Sequence, residues 1–227
     1  MSSHHALADV ASLIGEPTRA AMLLALLDGR SLPATALARE ARLSAPATSL
    51  HLAKLTQGGL LTVQPEGRQR LYRLAGPRVA TALEALGVLS TAAPPPRRPP
   101  DPLRTARSCY DHLAGALGVS FAQTLERRQM LVPVGEAAYA LSPSGARWLS
   151  QRLGLEPEAV ETGRRPFALR CLDWTERRPH LAGALGAAVL SRMLELRWLA
   201  RTRGSRSLRL TVGGEKRLGE LGLEVSR

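Results

Sequence analysis

The chain has 227 residues, 44% of them apolar and few aromatic, which allows one large domain or two small ones and favours helices. No apolar run approaches the ~18 residues needed to span a bilayer, and no basic stretch leads into an apolar one at the start, so a cytoplasmic protein without a membrane partner is expected. The formal net charge of +12 suits a polyanion, but nearly all the cations are arginine, with lysine only at Lys54 and Lys216, so charge alone supports DNA binding weakly and motifs must carry it.

In chain order, a short helix is expected over 5–13. Glu16-Pro17 starts a second over 18–27, ending at Asp28-Gly29. A third runs Ala34–Ala41. After a turn, Ser44 is a good N-cap for a fourth, Ala45–Gln57, with Pro46 in its first turn. Strands over 60–64 and Gln69–Leu74 flank the turn Pro65-Glu66-Gly67-Arg68, and Pro77–Leu89 is a final helix. Helix, turn, helix, hairpin is the order of a winged helix-turn-helix, which places its second helix in a DNA major groove.

The segment 92–102 reads AAPPPRRPPDP. Proline at this density continues neither a helix nor a central strand, so it is expected to be a semi-rigid linker over 91–102. It separates a DNA-binding and dimerisation domain, 1–90, from a sensor domain, 103–227. The latter holds an internal repeat, about 103–160 and 165–227. HLAGALG occurs at 112–118 and again at 180–186, and LGLE follows at the same offset at 153–156 and 221–224. Each copy begins with Cys-x-Asp, Cys109-Tyr110-Asp111 and Cys171-Leu172-Asp173. Each is expected to hold a helix, a hairpin and a second helix: 112–131, 132–141 and 145–153, then 180–199, 200–210 and 214–221. The expected class is mostly α with small β-hairpins (α+β), with two winged-helix-like repeats in the C-terminal half. Such a likeness of shape does not imply that these halves bind DNA.

In the helix Ala45–Gln57, Leu50, Ala53 and Leu55 are expected to pack inward. Thr48, Ser49, His51 and Lys54 are expected to face outward, where polar side chains reach base edges and cations reach phosphates. In the wing, Gly67 permits a tight turn, Arg68 at its tip would reach phosphate or the minor groove, and Gln69, Arg70 and Arg73 complete the candidate contacts. The plain alternative for each is a solvated face.

These motifs, GEPTRAAMLLALLDG, TALAREARLSAPATSLHLAKLTQGGLL and the wing GRQRLYRL, resemble the ArsR/SmtB family of winged-helix regulators over about the first 90 residues. The resemblance implies a homodimer built from the first and last helices of the domain, double-stranded DNA as partner, and a repressor that leaves DNA when an inducer binds. Metal sensors of that family often carry cysteines in the helix before the turn, in a motif like ELCVCDLA. The matching segment here is SLPATALA, without cysteine, aspartate or histidine, and Pro77–Leu89 lacks the usual Asp/His pattern. Any sensing is therefore expected in the C-terminal half.

There, the two cysteines do not make a disulfide framework. Candidate effector residues are Cys109, Asp111, His112, Cys171, Asp173, Trp174, Glu176 and His180. Cys, His and carboxylate together bind divalent metals. Two thiols alone bind arsenite, oxidise or react with electrophiles. Alternatively the cysteines are inert and the aspartates, Asp111 among them, cap helices. A small-molecule pocket between the halves, near Trp174 and His180, is a further reading. The repeated glycines either let helices pack closely or make room for a ligand. No phosphate loop, HExxH or GxSxG is present, so no enzyme is expected. A thiol-dependent enzyme is a remote alternative. An architectural, non-specific DNA-binding protein without an effector is the nearer rival.

Overall fold

The computed structural model describes residues 3–67, 69–89, 102–160 and 165–223. The chain forms two compact units, Met1–Leu83 and Glu84–Arg227.

The first unit opens with α1 (Ser3–Gly15) and α2 (Pro17–Ala25). Glu16 caps α2, its carboxylate accepting the N–H groups of Thr18 at 2.9 Å and Arg19 at 2.8 Å, and Pro17 starts the helix where no N–H is needed. There follow β1 (Leu32–Pro33), α3 (Ala34–Ala41), α4 (Ala45–Gln57), β2 (Leu61–Glu66) and β3 (Gln69–Leu74). The antiparallel sheet has the order β1-β3-β2. Met22, Leu23, Leu26, Leu37, Leu52 and Leu55 make its core, each at most 1% exposed. Burial of such side chains is the main driving force for the unit. Helix α5 (Pro77–Leu89) begins in this unit and ends in the second, because the division falls between Leu83 and Glu84. The proline-rich linker expected over 91–102 lies outside the described residues except for Pro102.

The second unit holds α6 (Pro102–Thr105), β4 (Arg107–Cys109), β5 (His112–Ala114), α7 (Gly115–Arg127), β6 (Leu131–Val134), β7 (Ala138–Leu141), α8 (Pro143–Leu153) and α9 (Pro157–Val160). It continues with β8 (Leu169–Leu172), β9 (Pro179–Ala182), α10 (Gly183–Glu195), β10 (Leu199–Arg201), β11 (Leu208–Leu210) and α11 (Val212–Glu220). Hairpin, helix, hairpin, helix thus occurs twice. The two series are interleaved. The β6-β7 hairpin joins β8-β9 in one four-stranded sheet, while β4 bridges the β10-β11 hairpin through Arg107 and Ser207. Helix α7 packs on β9 and α10 on β5, around a core that includes Leu117, Phe121, Leu125, Leu185, Val189 and Met193.

The expected helices over 112–131 and 180–199 need correction at both ends, for they stop at Arg127 and Glu195, and Leu131 and Leu199 open the next strands. The residues His-Leu-Ala of each heptapeptide are strand, and the helices begin only at Gly115 and Gly183. Both glycines have positive φ, +77° and +81°, and a Cβ on either would stand 2.7 Å from a backbone carbonyl oxygen, that of Arg104 or Phe167. Only glycine makes this strand-to-helix corner at such close range. The expected role in packing two helices together is replaced by a close approach to the backbone carbonyls that flank each corner. Asp111 does not cap α7 either. It lies in the β4-β5 turn, and Asp173 accepts the Gly115 N–H at 2.7 Å instead. Helices α8 and α11 start two residues before the expected Gly145 and Gly214, capped by Ser142 and Thr211.

Candidate functional site

The turn between α3 and α4 is built from local rules. Arg42 ends α3 in the left-handed conformation at φ 55°, and extended Ser44 starts α4 with Pro46 in its first turn. The seam of α4 facing the core is Thr48, Leu52 and Leu55, at positions i, i+4 and i+7. Thr48 is 1% exposed, and its hydroxyl donates to the Ser44 carbonyl at 2.8 Å. The expectation that Thr48 faces outward is therefore corrected. So is the inward placement of Leu50, which is 58% exposed, and of Ala53, which is also exposed. His51 turns toward α2, its Nδ1 3.4 Å from Glu16 Oε2, and is half-buried there. The outward face is Ser49, Leu50, Ala53, Lys54 and Gln57.

In the wing, Glu66 pairs with Gln69, and Gly67 beside that pair has φ +60°. Arg68 itself lies outside the described residues. Gln69, Arg70 and Arg73 are exposed, and Arg73 Nε donates to Thr62 Oγ1 at 3.3 Å. A groove of about 580 Å³ runs between α4 and the wing, lined by Ser49, Ala53, Gln57, Gln69 and Arg70 among others.

The second unit brings four residues together. Cys109 and His112 are cross-strand partners in the β4-β5 hairpin, and Cys171 and His180 are cross-strand partners in β8-β9. The two pairs meet so that a sulfur or ring nitrogen from each residue lies within 4.8 Å of the others. The imidazole rings stack with centroids 5.1 Å apart. His112 and His180 are 6% and 1% exposed. His112 Nε2 and His180 Nε2 have no hydrogen-bond partner among the described residues, and each such buried group costs about 1–3 kcal/mol. The Nδ1 atoms face carboxylates: His112 to Asp111 Oδ1 at 3.3 Å, His180 to Asp173 Oδ2 at 3.6 Å.

The thiols are coupled. A hydrogen bond to Cys171, then burial, pushes the Cys109 thiol up to about 12, and the same bond holds Cys171 below its ordinary value. Burial works to lower the His112 pKa, but Cys109 and Asp111 outweigh it and raise it. Arg165 holds the Asp111 carboxyl low. Behind the cluster, burial works to raise the Asp173 pKa, but the carboxyl is held well below the usual range by Arg107, Thr175, His180 and the Gly115 N–H. Arg107 Nη2 donates to both Asp173 oxygens at 2.9 Å. Buried Glu84, on α5, accepts from Cys109 Sγ at 3.2 Å, Trp174 Nε1 at 3.2 Å and Arg206 Nη2 at 2.9 Å.

Known proteins place the chain. A helix-turn-helix domain model matches residues 14–64. The uncharacterized HTH-type transcriptional regulator YdfF of Bacillus subtilis is 40% identical over 213 residues, spanning 92% of this chain and 93% of that protein. The chain belongs to the HTH-type transcriptional regulators. Among solved structures, reduced HlyU from Vibrio cholerae is similar at 27% identity and a TM-score of 0.36, over 39% of this chain and 93% of its own. The homodimeric winged helix-turn-helix DNA-binding domain of Mb0332 from Mycobacterium bovis, a possible ArsR-family regulator, is similar at 26% identity and a TM-score of 0.36, over 39% of this chain and 86% of its own. Both likenesses concern about two-fifths of the chain.

The regulator thus carries a winged helix-turn-helix DNA-binding domain, and no helix among its described residues is long and apolar enough to cross a membrane. Of the eight candidate effector residues, four meet in the cluster and Asp111 and Asp173 stand behind its histidines. Trp174 is directed to Glu84, and the Glu176 carboxylate to the Thr175 hydroxyl at 3.3 Å. Glu84 and Arg107 were missed. One sits in a helix assigned to the other domain, and the other is one arginine among many. Only burial distinguishes them.

Proposed function

We propose that the regulator is a homodimeric, sequence-specific repressor that leaves its operator when an inducer engages the second unit. The observation that supports it most is the exposure of Ser49, Lys54 and Gln57 on α4 together with that of Gln69, Arg70 and Arg73 on the wing. Short polar groups near the helix start suit base edges, and the cations suit phosphates. Arg68 keeps its sequence-derived role at the wing tip. Thr48 and His51 are left out, because one is buried and the other faces Glu16. Exposed Leu7 on α1 and Leu86 and Leu89 on α5, at 72%, 47% and 76%, are apolar groups suited to a dimer contact. A cytoplasmic, non-enzymatic protein fits this role.

Footprinting on native promoter DNA tests the proposal. Two half-sites about one DNA turn or more apart are expected, as two-fold symmetry requires. Protection of a single half-site by a monomer refutes the dimer. The architectural alternative predicts affinity that falls steeply with salt and depends little on sequence.

A further inference from the structure

We infer that Cys109, His112, Cys171 and His180 form a binding site for one divalent ion of the zinc class. The donor set is two sulfurs and two imidazole nitrogens, and their ligand atoms already lie within 4.8 Å of one another. Two thiolates and two neutral imidazoles around a divalent ion sum to zero charge, which a buried position tolerates. Soft and borderline donors in fourfold number select zinc-class ions over magnesium or calcium.

Three further observations point the same way. The Nε2 atoms of both histidines are buried without partners, and a metal supplies the missing one. His112 Nδ1 hydrogen-bonds Asp111, the arrangement that fixes the tautomer and aims Nε2 at a metal, while His180 Nδ1 stands 3.6 Å from Asp173 without a hydrogen bond among the described residues. Each aspartate belongs to the Cys-x-Asp motif of its own hairpin, so the short motif holds a ligand and a carboxylate beside a second. A pair of cysteines kept for redox chemistry needs neither the histidines nor their carboxylates. Four protein ligands leave no open position, so the site is one for holding an ion and not for activating water.

The site stands on this geometry. That its ion is the inducer rests on the repressor proposal above, so two separate readouts are needed. The first is a cobalt(II) titration of the reduced full-length protein, followed by displacement with zinc(II). One cobalt per chain is expected, with intense visible bands of a tetrahedral ion and thiolate charge transfer. This signature comes from the wild-type protein and needs no variant to fold. Cys109→Ser and Cys171→Ser, checked for folding by circular dichroism, should lose the charge-transfer band in part. Asp111→Asn should weaken zinc binding about 10–100-fold. A weak octahedral spectrum, or a spectrum unchanged in the double cysteine variant, overturns the site. So does a Cys109–Cys171 disulfide that alters DNA affinity while no metal binds. The second readout is operator affinity with and without bound zinc(II). An equal affinity refutes the inducer role and leaves the metal site standing.

Discussion

Thr48 donates its hydroxyl to the carbonyl of Ser44 at 2.8 Å, and this bond marks which side of α4 belongs to the core. One residue on, Ser49 is exposed, and Lys54 is exposed farther along the helix. Lys54→Ala is therefore expected to weaken binding to all DNA sequences and to lower the salt slope by about one. Ser49→Ala should change sequence preference with little effect on that slope. Fluorescence anisotropy on matched and scrambled sites over a salt series separates the two.

The wing makes the same kind of claim at a different place. Arg70 is exposed beside the groove that runs along α4. Arg70→Ala is expected to reduce affinity without altering preference, again with a slope smaller by about one. Unchanged affinity and slope would mean that the wing stays off the DNA.

Glu16 offers a pH dependence in the first unit. Hydrogen bonds from the Thr18 and Arg19 backbones hold its carboxyl at about 2, below the ordinary 4.5. A depressed folded-state pKa means that stability is present above 4.5 and is lost as pH falls from there toward 2. Glu16→Ala should cost about 1 kcal/mol at neutral pH, as removal of an N-cap does. Urea unfolding at several pH values should show this difference shrinking through that window. A constant difference would exclude the charged cap as its source.

Two glycines with similar backbone angles should respond differently to alanine. Gly183 has φ +81° and its added Cβ would meet the Phe167 carbonyl oxygen at 2.7 Å, whereas Gly204 has φ +68° and open space. Gly204→Ala bears backbone strain alone, of order 1 kcal/mol, and Gly183→Ala adds a clash on top. Thermal melts should rank Gly183→Ala clearly below Gly204→Ala, and the reverse order would contradict the packing at the strand-to-helix corner.

The buried pair in the second unit is sensitive to one-sided loss. Arg107 and Asp173 are each 1% exposed, so Asp173→Ala removes the carboxylate that accepts from Arg107 Nη2 and leaves the guanidinium with Glu84 as its remaining carboxylate, 3.5 Å from its Nε. A loss of about 3–5 kcal/mol is expected. Chemical denaturation of full-length protein measures it, and a loss under about 1 kcal/mol would mean that water reaches Arg107.

The first unit was legible because its signals are local. Ser44 and Pro46 start α4, Gly58-Gly59 follow its end, and α3, α4, β3 and α5 have the bounds that such signals imply. The rotation of α4 is not legible in the same way, because APATSLHLAKLTQ spreads its leucines and alanines over both faces and Leu50 competes with Leu52 for the core. In the second unit, His-Leu-Ala-Gly-Ala-Leu-Gly reads as helix throughout, since nothing in seven residues shows that a hairpin partner will claim the first three. The effector candidates came from residue types alone. Their convergence depends on pairings 62 to 71 residues apart, Cys109 to Cys171 and Cys109 to His180, which no local pattern encodes.

The carboxylate of Asp173 ends the backbone of Gly115, and the hairpin of one series completes the sheet begun by the other. The border of sequence repetition is thus not a border of cooperativity. A chain cut between 160 and 165 would leave α7 without its Asp173 cap and would part β7 from β8, exposing a strand edge on each half like a torn zip. The second unit should melt in a single step, with neither half persisting as a folding intermediate.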